Sequence, residues 1–196
     1  MNNFFKTTTL TIAAAAMSIA LASGAQAKEW RGWNIHPPEY PVSTGMEEFA
    51  KIINEKSGGD LEAKVYHGGV LGNQPDAIQQ VRLGGLDWAV FNLGPLGGVA
   101  PEANVVSLPF IFKNVEAMHE VMDGPAGQQI ADGLIKAGLQ PLGWYDSGAR
   151  SFYNTKKPIN TPADLQGLKF RVMSNDLYVQ MVAALGGNAT PMAYGE

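Results

Sequence analysis

Two arginines stand where a guanidinium group could hold a carboxylate. Arg150 lies at the start of one predicted strand, and Arg171 lies at the end of another. If these strands are neighbours in a sheet, both guanidinium groups can face one cleft. A planar guanidinium holds a carboxylate through two parallel hydrogen bonds and stays charged at any working pH. On these residues alone a second interpretation stays open, in which each arginine is solvated or pairs with Asp164 or Asp176.

Signatures of catalysis are sparse by comparison. The sequence has no G-x-S-x-G nucleophile motif, no phosphate-binding P-loop and no G-x-G-x-x-G turn. His36, His67 and His119 stand far apart, and none has a second histidine three or four residues away, which argues against a zinc site. The carboxylates are scattered, so a pair for acid–base catalysis is neither indicated nor excluded. A binding protein is the favoured interpretation, with an enzyme acting on an organic acid as the alternative.

Composition excludes several other classes. The chain has no cysteine, which excludes thiol chemistry, cysteine-ligated zinc and iron–sulfur clusters. The net charge is −4 and the basic residues do not cluster, which argues against binding to nucleic acid or to an anionic membrane surface. We therefore expect no metal, no cofactor and no nucleic-acid partner.

The first 27 residues have the form of a secretory signal peptide. Lys6 precedes an apolar stretch at 10–22, and Ala25-Gln26-Ala27 has the small-x-small pattern of a cleavage site. The stretch is shorter than the ~20 residues needed to span a bilayer as a helix, so a retained anchor is the weaker alternative. We expect a mature protein that begins at Lys28, is exported and has no stable membrane insertion.

The elements that would position the arginines alternate between strand and helix. The predicted strands are 29–34, 61–66, 86–92, 139–145, 151–154, 169–172 and 189–194. The predicted helices are one capped by Ser43 or Thr44 and ended by Ser57-Gly58-Gly59, and others at 76–83, 115–122, 126–137 and 176–185, with a further turn of helix near 161–165. This alternation predicts an α/β fold with mainly parallel sheets.

The same pattern suggests two lobes. A change near Ser147-Gly148 divides the chain into a first α/β lobe at 28–147 and part of a second at 148–196. The second lobe would hold too few elements to close a sheet before Glu196, so we expect a C-terminally truncated chain.

Several motifs, in order, resemble one family of transport receptors. They are G-G-V-L-G at 68–72, L-P-F at 108–110, G-x-R-S-F-Y-N at 148–154, K-P-I at 157–159, D-L-x-G-L-K-x-R-V at 164–172 and A-T-P-M-x-Y-x-E at 189–196. Together they resemble the DctP-like solute receptors of TRAP (tripartite ATP-independent periplasmic) transporters. The resemblance covers essentially the whole chain after the signal peptide. It implies a periplasmic receptor with two α/β lobes that close on a ligand about a hinge.

The resemblance also implies roles for individual residues. Arg171 would be the main carboxylate partner and Arg150 a second one. The remaining candidate ligand-binding residues are Asn34, Gln74 and Asn92 from the first lobe, Tyr194 over one face of the ligand, and His36 beside Asn34. Family members run well beyond Glu196 and supply further ligand residues there.

The implied ligand is a small carboxylate rich in hydroxyls. Gln74 and Asn92 are neutral where some relatives carry acids, and the R-S-F-Y-N form is most similar to receptors for sugar acids such as uronates, with C4-dicarboxylates close behind. The receptor would deliver its ligand to TRAP membrane subunits driven by an ion gradient, without ATP. A receptor that reports to a signalling protein is the alternative within this class.

Overall fold

The computed structural model describes residues 27–196, which form two parallel β-sheets flanked by helices. The first sheet has the order β2-β1-β3, with β1 at Lys28–Trp33, β2 at Leu61–Tyr66 and β3 at Trp88–Ala89. The second sheet pairs β4, Lys169–Val172, with β5, Asn188–Pro191. All these pairings are parallel, so the predicted α/β fold with mainly parallel sheets is confirmed. The predicted signal peptide, apart from Ala27, lies outside the described residues.

Helices connect the parallel strands, as crossover connections require. Within the described residues they are α1 Pro41–Lys56, α2 Gln74–Arg82, α3 Leu93–Leu96, α4 Val115–Met122, α5 Pro125–Lys136 and α6 Asp176–Ala184, with 3-10 helices at Pro101–Ser107 and Pro162–Leu165. None of these helices has the length and apolar character needed to cross a membrane.

The start of α1 corrects one prediction. The helix begins at Pro41 rather than after Ser43 or Thr44, with Tyr40 in extended conformation at the N-cap position. Proline fits the first helical position because it lacks only an N–H that would have no partner there, and because its φ is already helical. The Ser43 side chain is instead buried, and its hydroxyl donates to the Pro37 carbonyl oxygen at 2.7 Å.

Two predicted strands are absent from the described part of the chain. Residues 139–145 and 151–154 are neither strand nor helix. A strand needs a ladder of hydrogen bonds with a neighbour, and these two stretches have none among residues 27–196. The third predicted strand is also shorter than expected, because only Trp88–Ala89 pairs with β1.

Each sheet packs against its own apolar cluster. In the first sheet the buried Trp33 contacts Ala77 of α2, and Trp88 packs with Met46 of α1. The tight fit requires Gly32, because a Cβ there would lie 2.3 Å from the Trp88 ring. The second sheet has a separate cluster, made of Leu165, Phe170, Val172, Met173, Tyr178 and Val182. The boundary between lobes near Ser147-Gly148 stays a prediction.

Candidate carboxylate-binding site

A cavity of about 400 Å³ lies where the carboxyl ends of the two sheets meet. Several lining residues come just after a strand, among them His36 after β1, Met173 after β4 and Met192 after β5, and this is where open parallel sheets bind ligands. Six of the seven predicted site residues line it: His36, Gln74, Asn92, Arg150, Arg171 and Tyr194. Residues more than 100 positions apart in the sequence therefore share one space, as the two-lobed interpretation expects.

Arg171 is held at the cavity by the second sheet. It lies on β4 opposite Thr190 of β5, and its Nη2 donates to the Met192 carbonyl oxygen at 2.7 Å. This bond uses one nitrogen of the guanidinium and fixes its direction. The other donors of the fork stay available to a ligand.

Arg150 reaches the same cavity from an irregular segment. The preceding turn is closed by the Gly148 N–H, which donates to Asp146 Oδ1 at 2.7 Å, and Gly148 has a φ of 81°, which favours glycine. Arg150 Nη2 lies 3.5 Å from Met173 Sδ, and a thioether sulfur is a weak acceptor. Among residues 27–196, neither Arg150 nor Arg171 forms an ion pair with a carboxylate. The cavity thus holds two cations suited to an anionic ligand.

Gln74 and Asn92 form a neutral pair that lines the same cavity. Gln74 is buried at the first position of α2, and its Nε2 donates to the Asn92 carbonyl oxygen at 2.7 Å. Its Oε1 accepts from the Asn92 N–H at 3.3 Å and from Asn92 Nδ2 at 3.2 Å. The pair presents uncharged amide groups, which can bind hydroxyls without adding a charge.

His36 is positioned by the loop after β2. Gly68 and Gly69 both have φ near 65°, and their N–H groups donate to the carbonyl oxygens of His36 and Asn34, each at 2.9 Å. The His36 ring stacks on Tyr40, with centroids 4.2 Å apart, and meets Tyr194 edge-on at 5.2 Å. Burial and, secondarily, the positive charge of Arg150 lower the pKa of His36. The ring is therefore neutral at neutral pH.

Asn34, the seventh predicted residue, does not line the cavity. Its side chain is fully buried, where Nδ2 donates to Ser43 Oγ at 2.5 Å and Oδ1 accepts from the His36 N–H at 3.2 Å. The residue just after β1 turns inward because these two partners satisfy its amide. Asn34 thus holds the main chain of His36 in place from outside the cavity.

The sequence analysis missed other residues of the site. Tyr40, Met173 and Ser174 also line the cavity. Met173 and Ser174 could have been found, because they follow β4 directly and the carboxyl ends of parallel strands carry binding sites. Tyr40 gave no such signal, since Pro38 and Pro41 around it indicate only a turn. No group of three or more potential metal ligands occurs in residues 27–196.

Comparison with known proteins places the chain in a family. The model of bacterial extracellular solute-binding proteins, family 7, matches residues 34–196. A solute-binding protein from Chromohalobacter salexigens is 58% identical over 180 residues, which cover 92% of this chain and 54% of that protein. The chain spans about half the length of the curated relatives it matches.

Two solved structures share the fold at high identity. A TRAP periplasmic solute-binding protein from Sulfitobacter sp. NAS-14.1, with bound β-D-galacturonate, has a TM-score of 0.84 and 59% identity, over 86% of this chain and 56% of that one. A TRAP periplasmic solute-binding protein from Roseobacter denitrificans, with bound β-D-glucuronate, has a TM-score of 0.84 and 57% identity over the same shares.

Proposed function

Because this chain belongs to family 7 of the bacterial extracellular solute-binding proteins, we propose that it captures a hexuronate, such as D-glucuronate or D-galacturonate. The observation that carries the proposal is the cavity in which Arg150 and Arg171 meet without a carboxylate partner among the described residues. The hexuronates bound by the Sulfitobacter and Roseobacter proteins support this ligand class.

The two sides of the cavity divide the recognition between charge and hydroxyls. Arg171, and with it Arg150, binds the carboxylate through charge-assisted hydrogen bonds, which are the strongest available. Gln74 and Asn92 line the same cavity and bind hydroxyls as neutral amides. A neutral hexose offers no carboxylate to either arginine and so loses the charge-assisted hydrogen bonds of the guanidinium fork. The site therefore selects the acid over the corresponding sugar.

Binding also links the two parts of the molecule. Arg150 and Arg171 belong to the predicted second lobe, and Gln74 and Asn92 belong to the first. Only a conformation that brings both sets to one ligand makes all these contacts. The ligand stabilises that conformation by its differential affinity for it.

The bound acid is carried and not converted. We expect the closed receptor to work in the periplasm and to hand its ligand to TRAP-type membrane subunits, with an ion gradient as the driving force. The TRAP periplasmic relatives support this role. Incubation of the protein with D-glucuronate, followed by NMR of the ligand, should return the acid unchanged. A new product would support the alternative of an enzyme.

Calorimetric titration and thermal unfolding with matched ligands test the proposal. D-glucuronate and D-galacturonate are compared with D-glucose and D-galactose, which carry a neutral hydroxymethyl group in place of the carboxylate, and with succinate as a C4-dicarboxylate. We expect binding of the hexuronates alone. A ligand at 100 times its Kd raises the free energy of unfolding by about 2.7 kcal/mol, which shifts the melting temperature measurably.

The titration uses two forms of the protein. One is this chain, and the other is this chain joined to the C-terminal part of the Chromohalobacter relative, because the match covers 54% of that protein. Hexuronate binding by either form supports the proposal. Binding of succinate in place of a hexuronate, or equal binding of the neutral sugars, would show that the ligand class is wrong.

A further inference from the structure

Four aromatic side chains, His36, Tyr40, Tyr153 and Tyr194, line the same cavity as the two arginines. Those of His36, Tyr40 and Tyr194 pack on one another and are here called the aromatic corner. The rings of His36 and Tyr40 are nearly parallel, at 19°, while the rings of His36 and Tyr194 are nearly perpendicular, at 85°. These are the two arrangements that aromatic pairs prefer, so the corner is a packed unit. Tyr194 keeps 53% of its surface exposed and is free to contact a further group.

The His36 ring, which contacts both tyrosines of this corner, has a buried nitrogen without a hydrogen-bond partner among residues 27–196. His36 is 8% exposed, and the nitrogen is its Nδ1. A buried polar atom without a partner costs about 1–3 kcal/mol, so such atoms usually await a ligand or water. The lowered pKa of His36 keeps the ring neutral, and a neutral imidazole offers one donor and one acceptor. A hydroxyl, which both donates and accepts, satisfies it in either tautomer.

We propose that the aromatic corner is the subsite for the ring of a cyclic sugar acid and makes the receptor prefer it to an open-chain acid of equal charge. This inference rests on the proposed function and adds the basis of its selectivity. The C–H groups on one face of a pyranose ring are apolar and pack on an aromatic surface, while its hydroxyls reach the imidazole. The carboxylate meanwhile reaches Arg171 and Arg150.

An open-chain acid fills the corner less well. Its carbon chain has no flat apolar face, and several of its bonds must be fixed on binding, at a cost in entropy for each. The carboxylate contacts are the same for both kinds of acid. Selectivity between them therefore depends on the corner and not on the arginines.

The pair D-glucuronate and D-gluconate tests this proposal, because both carry one carboxylate on six carbons and only the first forms a pyranose ring. Their Kd values are measured by calorimetric titration for the wild type, Tyr194→Leu and Tyr194→Phe. We expect the wild type to bind D-glucuronate more tightly. Tyr194→Leu should weaken D-glucuronate about tenfold, while D-gluconate changes by less than about twofold. Tyr194→Phe keeps the ring and should keep the preference.

Tyr145→Leu is the matched control. Tyr145 is exposed to nearly the same extent as Tyr194, 51% against 53%, but it packs beside Gly45 and does not line the cavity. This variant should leave both Kd values unchanged. Equal affinity of the wild type for the two acids, or a parallel loss of both in Tyr194→Leu, would overturn the inference while leaving the hexuronate proposal intact. Failure of the wild type to bind either acid would instead overturn both.

Discussion

Gln74 and Asn92 bind each other through three hydrogen bonds, although they lie 18 residues apart. One amide side chain thereby satisfies the N–H, the carbonyl oxygen and the Nδ2 of the other residue. The pairing connects the start of α2 to the residue before α3. It fixes the first-lobe side of the cavity before any ligand arrives.

Replacing Gln74 should therefore reduce both stability and ligand binding. Gln74→Ala leaves the main-chain groups of Asn92 without their partner, and we expect a loss of about 1–3 kcal/mol in the free energy of unfolding. Urea denaturation without ligand measures this loss, and titration with D-glucuronate measures the binding. Gln140→Ala is the control, because Gln140 is exposed and bonds only its neighbour Pro141. Equal stability of the two variants would contradict the structural role of Gln74.

A polar contact joins the two predicted lobes at the N-terminus of α6. Asn175 Oδ1 accepts from the Leu177 N–H at 2.8 Å and so caps the helix. Its Nδ2 donates to the Gly94 carbonyl oxygen at 2.5 Å and to Asn104 Oδ1 at 2.6 Å. The Asn175 side chain thus forms hydrogen bonds within the predicted second lobe through its oxygen and to the predicted first lobe through its nitrogen.

Asn175→Asp should separate these two functions. Aspartate still caps the helix through one oxygen. Its second oxygen, however, takes the place of the Nδ2 donor and faces two acceptors, the Gly94 carbonyl oxygen and Asn104 Oδ1. We expect the free energy of unfolding to fall by about 1–3 kcal/mol in urea denaturation. Asn114→Asp is the matched control, because Asn114 caps α4 through the same oxygen and is exposed. A similar effect in both variants would mean that the contact between lobes contributes nothing.

The fold was predictable where local pattern and pairing coincide. The strands β1, β2 and β4 mix apolar and charged residues and are bounded by turn residues, and all three occur close to their expected positions. The stretch at 139–145 contains Pro141, which lacks the N–H that a ladder needs, and it forms no strand. Pairing also depends on a partner far away in the sequence. The predicted start of α1 was wrong because the preference of Pro41 for the first helical position prevails over the capping preference of Ser43 and Thr44.

The site was predictable in its charges but not in its shape. Arg150 and Arg171 were found because guanidinium chemistry and motif order both indicate them, and the structure brings them into one cavity. The direction of a side chain at a strand end is not encoded locally. Asn34 turns inward to Ser43, while Tyr40 joins the cavity from a proline-rich turn.

The carboxylate role of Arg171 predicts a specific loss in a conservative variant. The guanidinium group of Arg171 donates to the Met192 carbonyl oxygen and has further donors for a ligand. In Arg171→Lys a single ammonium group replaces it and cannot form two parallel hydrogen bonds to a carboxylate. We expect the affinity for D-glucuronate to fall about 10-fold to 100-fold in calorimetric titration, which is about 1.4–2.8 kcal/mol. Stability should change little, because Arg171 is exposed.

Arg82→Lys is the control for this variant. Arg82 donates to the Ala137 carbonyl oxygen and lies outside the cavity, so its replacement tests whether any arginine-to-lysine change affects binding. We expect wild-type affinity in Arg82→Lys. If Arg171→Lys also bound with wild-type affinity, Arg171 would not be the carboxylate partner.

The buried His36 should make the stability of the protein depend on pH in a definite direction. Burial, with a smaller effect of the positive charge of Arg150, lowers the pKa of this ring below the ordinary value of 6.5, which applies to the unfolded chain. As the pH falls below 6.5, His36 is therefore protonated in the unfolded chain while it is still neutral in the folded chain. The stability contributed by the neutral ring is complete above pH 6.5 and is lost as the pH falls toward the lowered pKa of the folded state.

His36→Phe keeps an aromatic ring against Tyr40 and Tyr194 and removes the titration. Thermal unfolding of the ligand-free protein between pH 8 and pH 4.5 should show a steeper fall in melting temperature for the wild type than for the variant, beginning near pH 6.5. Other groups titrate in both proteins, so the difference between the two curves isolates His36. Parallel curves would mean that His36 has the same pKa in the folded and unfolded states. A wild type that gains stability relative to the variant on acidification would mean that an anionic partner raises the pKa of the ring.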